Sequence, residues 1–135
     1  MTGLRAKQKA KREERILNAA STVFRERGYD DTRMEHIAEL SELSIGTLYN
    51  YFPTKGDLLV AIVGLETADT LAAGLAVVAN PVSDPTAALL ALAESWYQHS
   101  FHLLDRKLWR HAFAMMIERP ESQSSVRFAQ NDENL

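Results

Sequence analysis

The sequence predicts an all-α chain: a three-helix bundle containing a helix-turn-helix, then a long connecting helix and a further helical body. Three observations lead there. Apolar residues recur at helical spacing in successive segments, no segment makes a credible strand, and the segments are separated by Gly, Ser, Asn and Pro stop signals. Near the N-terminus two of the helices are short and joined by a tight turn, the geometry that holds a helix out toward a DNA major groove.

The opening helix is expected from about Lys9 to Arg27, with Ile16, Leu17, Ala20, Val23 and Phe24 on one stripe and Gly28 as its stop. Thr32 and Glu35 have capping-box spacing and are expected to start the second helix, whose inward face is Ile37 and Ala38, with Met34 as a further candidate. That helix ends near Leu40. Ser44 is placed to cap a third helix through Ile45, Gly46, Thr47, Leu48, Tyr49 and Asn50. Helices this short cannot stand alone. Packing on the opening helix through Val23, Phe24, Ile37, Ala38, Leu43 and Leu48 has to fix them.

Pro53 closes this unit, and Lys55 lies at the start of a long helix that carries Leu58, Leu59, Ile62, Val63, Leu65, Leu71, Ala72 and Leu75 and ends near Ala79. Asp84 and Pro85 are a cap and a first helical residue for a fifth helix, read as far as His102. A further pattern holds Leu108, Trp109, Ala112, Phe113, Met116 and Ile117, with Asp105 marking either a break or a solvent face. This gives an N-terminal arm and helix-turn-helix domain over residues 1–54, a helical body over 55–119 to be weighed below for ligand binding and dimerisation, and a polar tail or weakly patterned helix over 120–135.

The chain has 135 residues, room for about one domain. With no Cys it holds no disulfide framework, thiolate metal cluster or cysteine nucleophile, and a cytoplasmic compartment is expected. Its start is basic without an apolar core behind it, and no stretch approaches 18 consecutive apolar residues, so neither secretion nor a membrane partner is expected. The net charge of -3 conceals an asymmetry. Arg5, Lys7, Lys9, Lys11 and Arg12 occupy residues 1–12 without an acid, a local +5. Residues 1–58 hold ten bases against nine acids, and residues 59–135 five against nine. A polyanion can thus meet one end of an acidic protein, with the basic start either an arm along the DNA minor groove or backbone or a solvated tail.

The string TRMEHIAELSELSIGTLYNYFPTKGDLL, preceded by ILNAASTVFRERGYD, resembles the TetR family of bacterial transcriptional regulators over about residues 12–60. The Gly-aromatic end of helix one, Ile-Ala in helix two, then Gly-Thr-Leu-Tyr, Tyr-Phe and Lys with Leu behind it carry the resemblance. It implies a DNA-binding head on a helical, usually ligand-responsive and dimerising body. It also implies that Ser44, Thr47, Tyr49, Tyr51 and Lys55 approach DNA, mainly its backbone, while Leu48 and Phe52 are structural. The sequence departs from the pattern at Ser41 and Glu42, where the family commonly has Ala-Gly. Glu42 either widens the turn or sits exposed. The chain is also short for the family, leaving room for about half of the usual body.

Residue chemistry gives the same candidates and adds four. Hydroxyls at Ser44, Thr47, Tyr49 and Tyr51 can donate to phosphates, and Lys55 adds charge near a helix start. Gly46 permits close approach, Ile45 and Thr47 can meet thymine methyl groups, Asn50 is a candidate for a base edge, and Arg33 for a phosphate. Each also has a plain role as a cap, a packing aromatic or a surface residue. Double-stranded operator DNA and a second copy of the chain are the expected partners, since two recognition helices one helical turn apart require a two-fold dimer on a near-palindromic operator.

In the body, Trp96, His99, His102, Trp109, Phe113 and Met116 are candidates for a pocket that takes a small apolar or aromatic effector, and equally for core and dimer seam. His99, His102 and His111, with Asp105, lack the spacing of a defined metal site, and neither a metal nor a cofactor is expected. No spacing identifies a nucleophile or a tuned carboxylate, so the chain is not expected to be an enzyme. The reading is a sequence-specific transcriptional regulator that acts as a repressor. The alternative is a helical interaction or dimerisation protein without effective operator binding.

Overall fold

The computed structural model describes residues 2–80 and 82–121. The described residues form six helices: α1 (Thr2–Asp31), α2 (Met34–Leu40), α3 (Ile45–Tyr51), α4 (Lys55–Ala79), α5 (Pro85–His99) and α6 (Arg106–Glu118). The weakly patterned terminal helix considered for the tail falls almost wholly on residues 122–135, outside the described residues.

Helix α1 starts at Thr2, seven residues before the expected Lys9. The added residues lack an apolar stripe, so periodicity gives no sign of them. Lys, Arg, Ala and Gln are nonetheless strong helix formers and extend the helix by propensity. At the other end Gly28 takes φ 78, ψ 169, a left-handed conformation that suits a residue without Cβ, and it breaks the regular helix where the sequence places the stop.

The expected cap of α2 shifts by one residue. Arg33, extended at φ -117, ψ 149, is the N-cap, and its N–H donates to His36 Nδ1 at 3.4 Å. Thr32 is buried with its hydroxyl donating to the Gly28 carbonyl at 2.6 Å, so it ties down the end of α1, and the box with Glu35 does not form. The remaining caps are direct. Ser44 Oγ accepts from Thr47 N–H at 3.2 Å, Thr54 Oγ1 from Asp57 N–H at 3.1 Å, and Asp84 Oδ2 from Ala87 N–H at 2.9 Å. Asp105 is a break: its carboxylate accepts from Leu108 N–H at 2.8 Å and starts α6, while α5 already ends at His99, not His102.

One core joins the head to the body. Ile16, Ala20 and Phe24 from α1, Ile37 from α2 and Leu48 from α3 meet Leu58, Leu59, Ile62 and Val63 from α4, with Leu104, Leu108 and Ala112 behind them. Each fully buried Leu, Ile or Phe contributes about 1.5–3 kcal/mol relative to exposure, which holds α2 and α3 in helices too short to persist alone. By length and composition α4 is apolar enough to cross a membrane. Its first half instead fills this core, and it carries the buried acid Glu66 midway.

The second half of α4 pairs with α5 as an antiparallel hairpin: Gly74 faces Leu92, and Thr70 Oγ1 donates to the His99 carbonyl at 3.2 Å. Helix α5 has no buried residue, and Leu89, Leu90, Trp96 and Tyr97 remain exposed. Helix α6 leans back on the head. His111 packs on the Tyr29 ring with centroids 4.1 Å apart, Met115 lies against Gly56, and Arg25 Nη1 donates to the His102 carbonyl at 3.3 Å.

Candidate nucleic-acid interface

The turn between α2 and α3 sets the angle at which α3 leaves the core. Ser41, the C-cap of α2, is buried, and its hydroxyl donates to the Ile37 carbonyl at 2.7 Å and the Ala38 carbonyl at 3.2 Å. Glu42 then takes φ 56, the left-handed region that glycine enters most freely. Glu42 N–H reaches the Glu39 carbonyl at 3.1 Å and Leu43 N–H the Ala38 carbonyl at 2.9 Å. These two bonds form the Schellman closure that satisfies the last carbonyls of a helix. Of the two readings of Glu42, the structure shows the second: its side chain is exposed and the turn stays tight.

Leu48 fixes which way α3 faces. It is fully buried, and at about 100° per residue Gly46 and Asn50 fall on the opposite side, with Tyr49 on the flank between. They are exposed, Tyr49 by 45%, and Ile45 flanks them at 39%. Nothing lies within 4 Å of where a Cβ on Gly46 would sit, so this side is open to a close-fitting surface. Ser44 and Thr47 share a hydroxyl hydrogen bond at 2.8 Å beside the helix start. Tyr51 is half-buried and packs on the core, and Arg33 is exposed at the start of α2.

Lys55 sits differently from the rest of the predicted set. Its Nζ donates to the Thr32 carbonyl at 3.0 Å and the Asp30 carbonyl at 3.3 Å, and it lies 4.4 Å from the centre of the Tyr29 ring. These bonds clamp the start of α4 to the end of α1 and to Thr32, and the chain enclosed by the clamp carries α2 and α3. Burial, reinforced by the charges of Asp30 and Asp57 and opposed by Arg119, pushes the Tyr29 phenol above its ordinary pKa and keeps it neutral under Lys55. Sequence reasoning used Tyr29 only as the aromatic after Gly28, without its contact to Lys55, and overlooked the Thr54 cap. Thr54 followed three residues later by Asp57 is the signal that would have found the latter.

A second site lies in the body, an open cavity of about 1170 Å³ between α4, α5 and α6. Leu71, Leu92, Trp96, Phe101, Trp109 and Phe113 form its apolar walls, with Thr67 and Thr70 hydroxyls and the guanidinium groups of Arg106 and Arg110 among the polar lining. Of the six pocket candidates, Trp96, Trp109 and Phe113 line it. His99, His102 and Met116 do not. His99 Nδ1 is 2.7 Å from the Ser95 carbonyl, His102 Nδ1 is 2.7 Å from the His99 carbonyl, and Met116 packs on the core. The three body histidines are not gathered at one point, and no cluster suited to a metal occurs among the described residues.

Beside the cavity, Glu66 is fully buried yet satisfied. It accepts from Trp109 Nε1 at 2.8 Å and Leu103 N–H at 3.1 Å, and His102 Nδ1 lies 3.3 Å away. A carboxylate buried without such partners would cost several kcal/mol. Sequence reasoning missed this knot. The signal was an acid following the apolar run of α4, but its partners lie 37 and 43 residues away.

A short exposed helix held off a bundle by a closed turn, with a helical body behind it, defines the helix-turn-helix class. Residues 16–62 match the model of the bacterial regulatory proteins of the tetR family, and this segment of the chain is a TetR-family N-terminal domain. Among its relatives, the HTH-type transcriptional repressor KstR of Mycolicibacterium smegmatis is 42% identical over 55 residues, 41% of this chain and 27% of that protein. The HTH-type transcriptional regulator RutR of Escherichia coli K12 is 39% identical over 61 residues, 45% of this chain and 29% of that protein. The matches thus span little more than a quarter of these relatives. The crystal structure of the TetR family transcriptional regulator PfmR from Thermus thermophilus superposes with a TM-score of 0.62 at 24% identity, covering 87% of this chain and 62% of that one, a likeness of fold.

Proposed function

We propose that the chain is a sequence-specific transcriptional regulator, a repressor that occupies a near-palindromic operator as a homodimer in the cytoplasm. One observation carries this reading: Leu48 anchors α3 while Gly46, Tyr49 and Asn50 form an open, exposed face on a helix fixed by a closed turn. Ser44, Thr47, Tyr51 and Arg33 add donors suited to backbone positioning, the Lys55 ammonium keeps one N–H beyond its two carbonyl bonds, and Ile45, Gly46 and Asn50 supply close approach and base-edge chemistry. Relatives whose names record repression are 42% and 40% identical to this chain over 55 residues.

The body carries the regulatory half of the reading. A small apolar or aromatic effector in the cavity touches Trp109, and Trp109 holds Glu66 of α4, whose first turn is clamped to the head by Lys55. An effector that binds one placement of Trp109 more tightly than another biases α4 and the spacing of the two recognition helices. The exposed apolar residues of α5 and α6 supply the surface for the second copy.

Selection of duplexes from a random pool by the intact protein tests the reading. Enrichment of a near-palindrome with half-sites about 34 Å apart is expected. Recovery of an unenriched pool would contradict it and favour a helical interaction protein.

A further inference from the structure

The start of α1 forms no part of the core. From Gly3 to Arg12 every residue is exposed, an overhang of about 15 Å at 1.5 Å per residue. Arg5, Lys7, Lys9, Lys11 and Arg12 project from it, and residues 1–12 contain no acid.

Helical phase divides these charges. At about 100° per residue Arg5, Lys9 and Arg12 fall within about 60° of arc, in line with Ile16, Ala20 and Val23, which bury against the head. Lys7 and Lys11 fall on the far side. The three-residue stripe therefore overhangs the side of α1 on which the rest of the head packs.

The overhang is poorly stabilised from within. It has no packed face, its first turn carries no acid to complement the positive end of the helix dipole, and Arg5 sits close to that end. A segment of this length in water is marginal as a helix. Phosphates along the stripe would remove the mutual repulsion of its cations and complement the dipole together.

We infer that residues 3–12 are a helical clamp on the DNA backbone flanking the operator, with Arg5, Lys9 and Arg12 facing the phosphates and the helix stabilised by contact. The clamp carries affinity and salt dependence, whereas α3 carries sequence preference. This inference rests on the DNA-binding reading above.

The test compares the wild-type chain with R5Q/K9Q/R12Q and with K7Q/K11Q, titrating each against the selected operator with long flanks across a salt series. Loss of three phosphate contacts lowers the slope of log affinity against log salt by about 2.7 per protomer, so between about 50 and 200 mM salt the triple variant loses about 40-fold less affinity per protomer than the wild type. The ranking of operator sequences is unchanged, the double variant keeps close to the wild-type slope, and helical ellipticity of the wild type rises on adding duplex by more than that of the triple variant. Unchanged slope in the triple variant would overturn the clamp and leave the α3 reading standing. Equal loss per charge in both variants would mark an unstructured polycation and overturn it as well. Absence of duplex binding by the wild type would overturn both readings.

Discussion

At the scale of single residues, Glu42 and Glu66 spend stability in opposite ways. Glu42 holds a left-handed backbone conformation that costs a residue with a Cβ about 1–2 kcal/mol, partly offset because glycine loses more freedom on folding. Glu42→Gly is expected to raise stability by about 0.5–1 kcal/mol, read as a higher urea midpoint at unchanged slope. A lower midpoint would show that the carboxylate makes a contact worth more than the strain. Glu66 is buried and depends on its donors. Trp109→Phe removes the Nε1 donor 2.8 Å from Oε2 and is expected to destabilise the fold by about 1–3 kcal/mol, measured by the same titration. The two residues were not equally legible. Glu42 stood out because it occupies a turn position where a small residue was expected, whereas the need for Glu66 arises only when α4 and α6 are brought together.

At the scale of elements, local chemistry decided most of the chain. Gly28, Ser44, Asp84 and Pro85 act within one helical turn of themselves, and the sequence places them correctly. One cap is misplaced, and other positions stay open in the sequence, where two local roles look alike or where the partner is distant. Thr32 has the side chain of a cap, but the Gly28 carbonyl takes its hydroxyl and the cap passes to Arg33. Asp105 reads equally as a surface acid and as the cap it is. Lys55 reads in the sequence as a DNA-backbone candidate or a surface lysine, and its two carbonyl partners follow only from how α1 and α4 meet. Lys55→Met removes those bonds and the contact over Tyr29 and is expected to cost about 1–2 kcal/mol, measured by thermal or urea unfolding. Protection of the α3 amides from hydrogen exchange should fall with it, because α3 lies inside the clamp. Unchanged protection would show that Leu48 alone suffices. On the exposed side of α3, Tyr49→Phe removes one hydroxyl donor without touching the core. Operator affinity should fall by about 3- to 10-fold with helicity unchanged, as expected for one lost phosphate contact. Equal affinity would remove Tyr49 from the interface.

At the scale of the whole molecule, one helix links the head to the body. The N-terminal end of α4 fixes the head through Lys55 and Leu58, and its middle holds Glu66 against Trp109 beside the cavity. The all-α class and the helix order were legible because hydrophobic periodicity is a local signal. The cavity was half legible: its aromatics announce themselves by composition, but which of them face one space depends on the crossing of α4, α5 and α6. Hence Trp96, Trp109 and Phe113 meet there, while His99 and His102 turn to backbone carbonyls.

Recognition of a DNA sequence by this arrangement is tested most directly by a fluorescence-anisotropy titration of the intact protein. Labelled duplex from its own upstream region is compared with a scrambled duplex of equal length, at two salt concentrations. Saturation on the upstream duplex is expected at a concentration at least about 1000-fold below that on the scrambled one, with affinity falling as salt rises. Equal affinity for the two duplexes, or no binding by folded protein, would contradict sequence-specific regulation.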